Sequence, residues 1–196
     1  MSTGARPLRA DAQRNRDRLL EVAVRAFSDG GADVTLDAIA KQAGVGIGTL
    51  YRHFPTREAL VEATYRNELA RLCDAAGELL DSRRPEDALR IWMDRFVDYM
   101  TTKRGMAEAL RAVIASGGNP FAQSRDRLLA AITRLLAAGA DAGAVRSDIA
   151  PADVLASLSG VSLAAGEPAQ RAQAGRLLDL IMDGLRYRPT SPRSAD

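Results

Sequence analysis

A short segment near residue 50 carries hydroxyl, cationic and imidazole side chains at a spacing that suits contact with nucleic acid. If Val45 and Leu50 face a core, a short helix leaves a mostly polar outer face. The residues of that face are Ile47, Gly48, Thr49, Tyr51, Arg52 and His53. Side chains of these types contact phosphates and base edges, and a helix of this kind fits the major groove of B-DNA. The segment therefore predicts a DNA-contacting surface.

A tight turn between two short helices must present this segment. Ala40 and Gly44 are four residues apart, which suits two helices that cross at a steep angle. Such a crossing needs a small side chain at the closest approach and a glycine that can take a positive φ. Thr35 is a suitable N-cap for the first helix, and Pro55 ends the second. The pattern predicts a helix-turn-helix motif over about 35–54.

The charge of the chain is unevenly distributed. Residues 1–57 hold nine Lys/Arg and six Asp/Glu, a net charge of +3. The remaining residues hold 18 basic and 19 acidic side chains, so the whole chain carries +2. A basic segment beside a helix-turn-helix favours contact with phosphates or the minor groove, although solvated basic tails are also common. We predict a flexible basic arm over 1–10.

Enzyme chemistry finds little support in the composition. The chain has one histidine and one cysteine, so a Cys/His metal cluster is excluded, and no Gly-rich phosphate loop or nucleophile elbow is present. We predict no catalytic residues, no metal and no cofactor. Cys73 has no partner for an internal disulfide, and no signal peptide or membrane span is evident. These features predict a cytoplasmic protein.

The spacing of apolar residues, together with residues that typically begin or end helices, predicts an all-α fold of about nine helices. The approximate bounds are 11–29, 36–43, 47–54, 57–81, a helix from 85, then 104–116, 121–138, 151–166 and 169–187. A DNA-binding domain of three helices is expected over 11–57, followed by a larger helical domain over 58–187. The Pro/Ser/Arg-rich residues 188–196 are predicted to be a disordered tail.

Residues from about 14 to 63 carry one extended pattern. It comprises Leu19, Ala23, Phe27 and Gly31, then Thr35, Ile39, Ala40, Ala43, Gly44 and Val45, then Gly48, Thr49, Leu50, Tyr51, Arg52, His53 and Phe54, then Arg57 and Leu60. In order, spacing and identity this stretch resembles the DNA-binding domain of TetR-type (TetR/AcrR) transcriptional regulators. Two positions depart from it, since Gly46 and Ile47 stand where family members often carry polar residues.

The resemblance implies a dimeric repressor that binds a palindromic DNA operator and is released by a small-molecule effector. It places Ile47 and Thr49 near base edges and Tyr51 and His53 at phosphates. The full set of predicted DNA-binding residues is Thr35, Lys41, Ile47, Gly48, Thr49, Tyr51, Arg52, His53 and Arg57. Simpler interpretations remain open, because Tyr51 could belong to the core, His53 could be structural, and Lys41 and Arg52 could be solvated charges.

The same resemblance assigns effector binding and dimerisation to residues 58–187. The larger apolar side chains of its middle helices suggest a pocket for an apolar or aromatic effector. These are Trp92, Phe96, Tyr99, Met100, Met106, Leu110, Ile114 and Phe121. A homodimer seam is predicted at Leu155, Leu158, Ser162, Leu178, Ile181 and Leu185. For both sets, ordinary core packing is the alternative.

A second function remains open at this point. The chain could be a sequence-independent DNA-binding protein, or a helical adaptor that has kept the DNA-binding domain. A regulator prefers one palindrome strongly over random duplex, whereas a sequence-independent binder does not. The salt and sequence dependence of DNA binding therefore separates the two.

Overall fold

The computed structural model describes residues 5–30, 34–165 and 167–186. Over these ranges the chain forms nine α-helices, one short 3-10 helix and no strand, which confirms the predicted all-α fold. The helices are α1 Ala5–Gly30, α2 Leu36–Gln42, α3 Ile47–His53, α4 Arg57–Ser82, α5 Pro85–Gly105, α6 Ala107–Ala115, α7 Ser124–Asp141, α8 Pro151–Ala164 and α9 Arg171–Arg186. None of the helices in these ranges is long and apolar enough to cross a membrane.

The predicted helix starts are set by local capping. The Thr35 hydroxyl accepts a hydrogen bond from the Ala38 amide at 3.2 Å, which confirms it as the N-cap of α2. Thr56 does the same for α4, since its hydroxyl accepts from the Ala59 amide at 3.0 Å. Pro85 occupies the first position of α5, where a missing amide proton costs nothing.

The predicted basic arm is partly helical. Helix α1 begins at Ala5 rather than near residue 11, so residues 5–10 of the expected arm belong to it. The prediction was wrong there because Pro7 falls in the first turn, where proline is tolerated and does not delay the helix. Residues 1–4 of the arm and the predicted tail over 188–196 lie outside the described residues.

Helix α7 begins three residues later than the pattern predicts. Gln123 adopts φ +64°, a left-handed conformation that interrupts a helix, and α7 starts directly after it. At the other end, Gly139 lies inside the helix rather than in the following loop. A Cβ on Gly139 would lie 2.7 Å from a Val145 methyl carbon, so the glycine allows the loop to pack against α7.

The chain divides into two compact units. The first unit comprises residues 1–70 and 102–122, and the second comprises 71–101 and 123–196. This division differs from the predicted boundary at residue 57, because the start of α4, the end of α5 and all of α6 belong to the first unit. One close contact is at Gly105, where a Cβ would lie 2.9 Å from the Ser28 backbone.

Each unit has its own apolar core. Fully buried side chains of the first unit include Leu19, Leu20, Phe27, Ile39, Leu50, Leu60 and Tyr65. Those of the second include Leu89, Trp92, Met93, Phe96, Ile132, Leu135, Leu158 and Leu178. Burial of this apolar area is the main source of stability for both units.

A network of ion pairs joins α9 to α5 within the second unit. Asp94 accepts hydrogen bonds from Arg90 and, at 2.9 Å, from Arg171. Arg90 also donates to Asp179 at 2.7 Å. Since Asp94 bridges two guanidinium groups, the network fixes the register of α9 on α5 more firmly than a single exposed pair does.

Candidate nucleic-acid interface

The turn between α2 and α3 has the predicted geometry. Gly44 adopts φ +68°, which L side chains rarely do. The Val45 amide donates to the Ala40 carbonyl at 3.0 Å, and the Gly44 amide donates to the Lys41 carbonyl at 3.1 Å. Ala40 is buried, so a small side chain stands where the two short helices approach. The geometry is that of a helix-turn-helix with α3 as its second helix.

Helix α3 buries one side chain and presents the others. Leu50 is fully buried, and Phe54, directly after the helix, is buried as well. Tyr51 is 49% exposed, so the interpretation of this residue as core is wrong. The remaining predicted contact residues of α3 are exposed or half-buried, namely Ile47, Gly48, Thr49, Arg52 and His53. The side chains that α3 presents to solvent are therefore those that the sequence predicts to contact DNA.

Two predicted contact residues lie on or just before α2. Thr35 is exposed and uses its hydroxyl oxygen as an acceptor in the cap, which leaves its proton available to a phosphate. Lys41 is exposed in the last turn of α2, and its carbonyl accepts the Gly44 amide of the tight turn. Both side chains therefore remain accessible to DNA.

Arg57 is engaged inside the first unit. Its guanidinium lies 5.0 Å from the centre of the Phe27 ring and donates a hydrogen bond to the Val34 carbonyl. These contacts join the start of α4 to α1 and to the chain that enters α2. The structure gives Arg57 a packing role that the sequence pattern did not indicate, and its phosphate contact stays a prediction.

We expect Arg57→Met to destabilise the protein by about 1–2 kcal/mol, because methionine keeps much of the length but loses the charged donor and the cation–π contact. Urea denaturation followed by circular dichroism measures the change. Arg52→Met is the matched control, since Arg52 is exposed and its loss should leave the unfolding midpoint unchanged. Equal midpoints for both variants would refute the packing role.

Two arginines of α1 extend the basic surface in different ways. Arg14 is exposed and pairs with Asp11 one turn earlier. The Arg16 guanidinium lies 5.5 Å from the centre of the Phe54 ring, directly after α3. Arg16 thus supports the end of α3, whereas Arg14 stays at the surface with a screened partner.

Comparison with known proteins agrees with this geometry. Residues 19–64, which contain the helix-turn-helix, match the family of bacterial regulatory proteins called the tetR family. Residues 84–187 match the C-terminal domain of SbtR-like transcriptional regulators. A crystal structure of a TetR transcriptional regulator from Streptomyces coelicolor is 57% identical, with a TM-score of 0.85, over 90% of this chain and 99% of that one. The chain belongs to the TetR family.

Other relatives are consistent with the assignment. A TetR transcription regulatory protein from Mycobacterium vanbaalenii is 38% identical over 92% of this chain and 100% of its own, with a TM-score of 0.77. A curated HTH-type transcriptional regulator from Staphylococcus aureus (strain USA300) is 25% identical over 107 residues, or 54% of this chain. The match spans 58% of the length of that relative. The TetR family comprises DNA-binding transcription regulators, which confirms the prediction of a non-enzymatic protein.

Several predicted effector residues of this TetR-family protein are core side chains. Trp92, Phe96 and Tyr99 are buried in the second unit. The Trp92 indole N–H donates to the Leu72 carbonyl at 2.8 Å, so its only polar atom is satisfied within the protein. Core packing accounts for these side chains, and their contact with an effector stays a prediction. Met100, on the same helix, is half-buried.

The other predicted effector residues belong to the first unit. Met106 and Leu110 are buried, whereas Ile114 and Phe121 are exposed. Phe121 meets the Tyr65 ring edge-on at 5.2 Å between centroids.

Lys103 completes this aromatic cluster, a feature that the sequence pattern did not indicate. Its ammonium lies 4.6 Å from the centre of the Phe121 ring and 6.0 Å from that of Tyr65. Burial lowers the pKa of Lys103. The cation–π contacts offset part of the desolvation of the ammonium and tie the end of α5 to α4 within the first unit.

Five of the six predicted dimer residues do not lie on the protomer surface, namely Leu155, Leu158, Ser162, Leu178 and Leu185, which are buried in the second unit. Their assignment was wrong because apolar residues at helical spacing mark the inward face of α8 and α9. Ile181 is half-buried, and its place in a dimer interface stays a prediction. The outward faces instead carry Leu163, which is 84% exposed, and Leu180, which is 66% exposed.

Proposed function

We propose that this TetR-family protein is a repressor that binds a palindromic operator as a homodimer and is released by a small-molecule effector. The observation that carries the proposal is the accessibility of polar side chains on α3, the second helix of the helix-turn-helix, where Tyr51 and Arg52 are exposed and His53 is half-buried. Phenol, guanidinium and imidazole groups are suitable phosphate partners. A sequence-independent DNA-binding protein is the alternative.

Homodimerisation is supported by the outer faces of α8 and α9. Helix α8 has one charged residue, Asp153, among its 14 residues, and a helix that is apolar all round is usually covered on all sides. A Cβ on Gly160 or Gly184 would meet no atom within 4 Å, so packing within the protomer does not require these glycines. These glycines lie on the same helices as the exposed Leu163 and Leu180, and their small size would permit a second copy of the protein to approach closely.

The composition of that face also resembles an interface. Leu180 lies in a surface groove of α9 between Arg176 and Asp183. An apolar centre with charged residues at its edge is the usual arrangement of an interface between protein chains. A homodimer with twofold symmetry matches a palindromic operator, whose half-sites lie about 34–36 Å apart on one side of B-DNA.

Control by a small apolar or aromatic effector is supported by the interior of the second unit. Apart from Ser124 and Ser162 its buried side chains are apolar or aromatic, and none of the described charged side chains is fully buried. Helix α4 begins at Arg57, shortly after α3 in the chain, and its residues 71–82 belong to the second unit, so we propose that an effector acts on operator binding through this helix. An effector needs about 1.4 kcal/mol of differential affinity between two states to weaken operator binding tenfold.

The proposal is tested by selecting duplexes from a random pool and measuring their affinity for purified protein. We expect a palindrome, bound at least 10³-fold more tightly than random duplex at about 150 mM salt. Tyr51→Phe and His53→Ala should each weaken binding by about 1–2 kcal/mol, which is roughly 5- to 30-fold. Arg111→Ala on the exposed surface of α6 is the control and should bind normally.

Two outcomes would contradict this function. Binding that selects no sequence would favour the sequence-independent alternative. If both variants fold normally by circular dichroism and bind the operator with unchanged affinity, Tyr51 and His53 do not contact DNA.

A further inference from the structure

Helix α3 exposes an apolar stripe among its polar groups. Ile47 and Tyr51 are one helical turn apart, and they are the only large hydrophobic side chains exposed over residues 34–70. Tyr51 has a hydroxyl that suits a phosphate, but Ile47 has no polar atom. Ile47 is 37% exposed, and an apolar group that covers it would remove this remaining apolar area from water, which a polar group would not do as favourably.

The glycines on either side of Ile47 are not required by the fold. Gly46 has φ −69° and ψ 146°, values that any residue adopts, and Gly48 is helical without a positive φ. A Cβ added at either position would meet no protein atom within 4 Å. The absence of both side chains therefore leaves room at the surface around Ile47 for close approach by an external molecule.

The chemistry around this stripe selects the partner. Lys41 and Arg52 are exposed on the same two helices of the helix-turn-helix, and both favour a polyanion. On the base edges of the major groove the distinctive apolar group is the 5-methyl of thymine. The Ile47 side chain has no hydrogen-bonding atom and has open space on both sides. It therefore fits a thymine methyl group better than it fits a base edge that offers only hydrogen-bond donors or acceptors.

We propose that Ile47 reads the 5-methyl of a thymine in each operator half-site, and that Gly46 and Gly48 allow α3 to approach the base edge closely enough for this contact. The inference rests on the proposed operator binding and adds the base that the helix selects. Ile47 acts here as a residue that determines specificity.

The test replaces each thymine of the selected operator with deoxyuridine, one symmetric pair at a time, which removes only the methyl group. At one position we expect wild-type affinity to fall about fourfold per half-site, the value of burying one methyl-sized group. Ile47→Ala should bind the thymine and deoxyuridine duplexes equally. Ile47→Val, which keeps a branched aliphatic group, should retain part of the preference.

The outcomes separate this inference from the proposed function. A chain that selects no duplex overturns both. A chain that selects an operator yet binds thymine and deoxyuridine equally at every position overturns only the methyl readout, as does an Ile47→Ala variant with wild-type discrimination.

Gly48→Ala tests the close approach. Alanine is the better helix former, so the thermal midpoint should rise or stay constant. Operator affinity should nevertheless fall at least tenfold, for thymine and deoxyuridine duplexes alike, since the added methyl separates the helix from the base edge. Unchanged affinity would overturn the role assigned to this glycine.

Discussion

Replacing Leu180 with aspartate should yield a folded monomer that no longer binds its operator tightly. Leu180 is 66% exposed on α9, and the proposed twofold interface would bury two copies of it. An unpaired carboxylate buried at an interface costs several kcal/mol per copy, more than a moderate interface tolerates. A monomer binds one half-site only. In the dimer, binding of the first half-site makes binding of the second intramolecular, so operator affinity of the monomer should fall by roughly 10²- to 10⁴-fold.

Light scattering at micromolar concentration and fluorescence anisotropy with labelled operator measure the two effects. Ala130→Asp is the matched control, because it adds the same charge at an exposed position of α7 in the same unit. Leu163→Asp on α8 should reproduce the loss, since Leu163 is also exposed. If Leu180→Asp remains a dimer with wild-type operator affinity, the proposed interface is misplaced.

Trp92→Ala should lower the free energy of unfolding by about 3–5 kcal/mol, as expected for truncation of a large buried aromatic residue. The Trp92 side chain is fully buried, and its ring lies 5.9 Å from that of Phe96. Trp92→Phe keeps much of the volume but leaves the Leu72 carbonyl without its indole donor, so it should cost about 1–2 kcal/mol. Urea unfolding followed by far-ultraviolet circular dichroism gives both values.

The same experiment distinguishes core from pocket. A tryptophan that lines an open effector site should be replaceable with little loss of stability, whereas one that fills the core should not. Unfolding of Trp92→Ala at the wild-type urea midpoint would therefore contradict its place in the core. Phe121→Ala is a useful comparison, because Phe121 is 36% exposed and the protein should lose less stability than with Trp92→Ala.

Local features of the DNA-binding residues could be predicted from the amino-acid sequence alone. Thr35 caps α2, Gly44 takes the positive φ, and Leu50 faces inward, because each depends on interactions within one or two helical turns. The resemblance of residues 14–63 to the TetR family rests on these short-range requirements, and family membership is confirmed.

Long-range packing decided the rest. The sequence shows that α8 is rich in apolar residues. It does not distinguish an apolar side chain that is buried within the protomer from one that is exposed on its surface. Leu158 proved to be internal and Leu163 external for this reason. In the same way, the sequence pattern did not indicate that Arg57 and Lys103 lie against aromatic rings, because Phe27 and Phe121 are several helical turns away along the chain. Such contacts depend on how helices pack in three dimensions, which local periodicity does not encode.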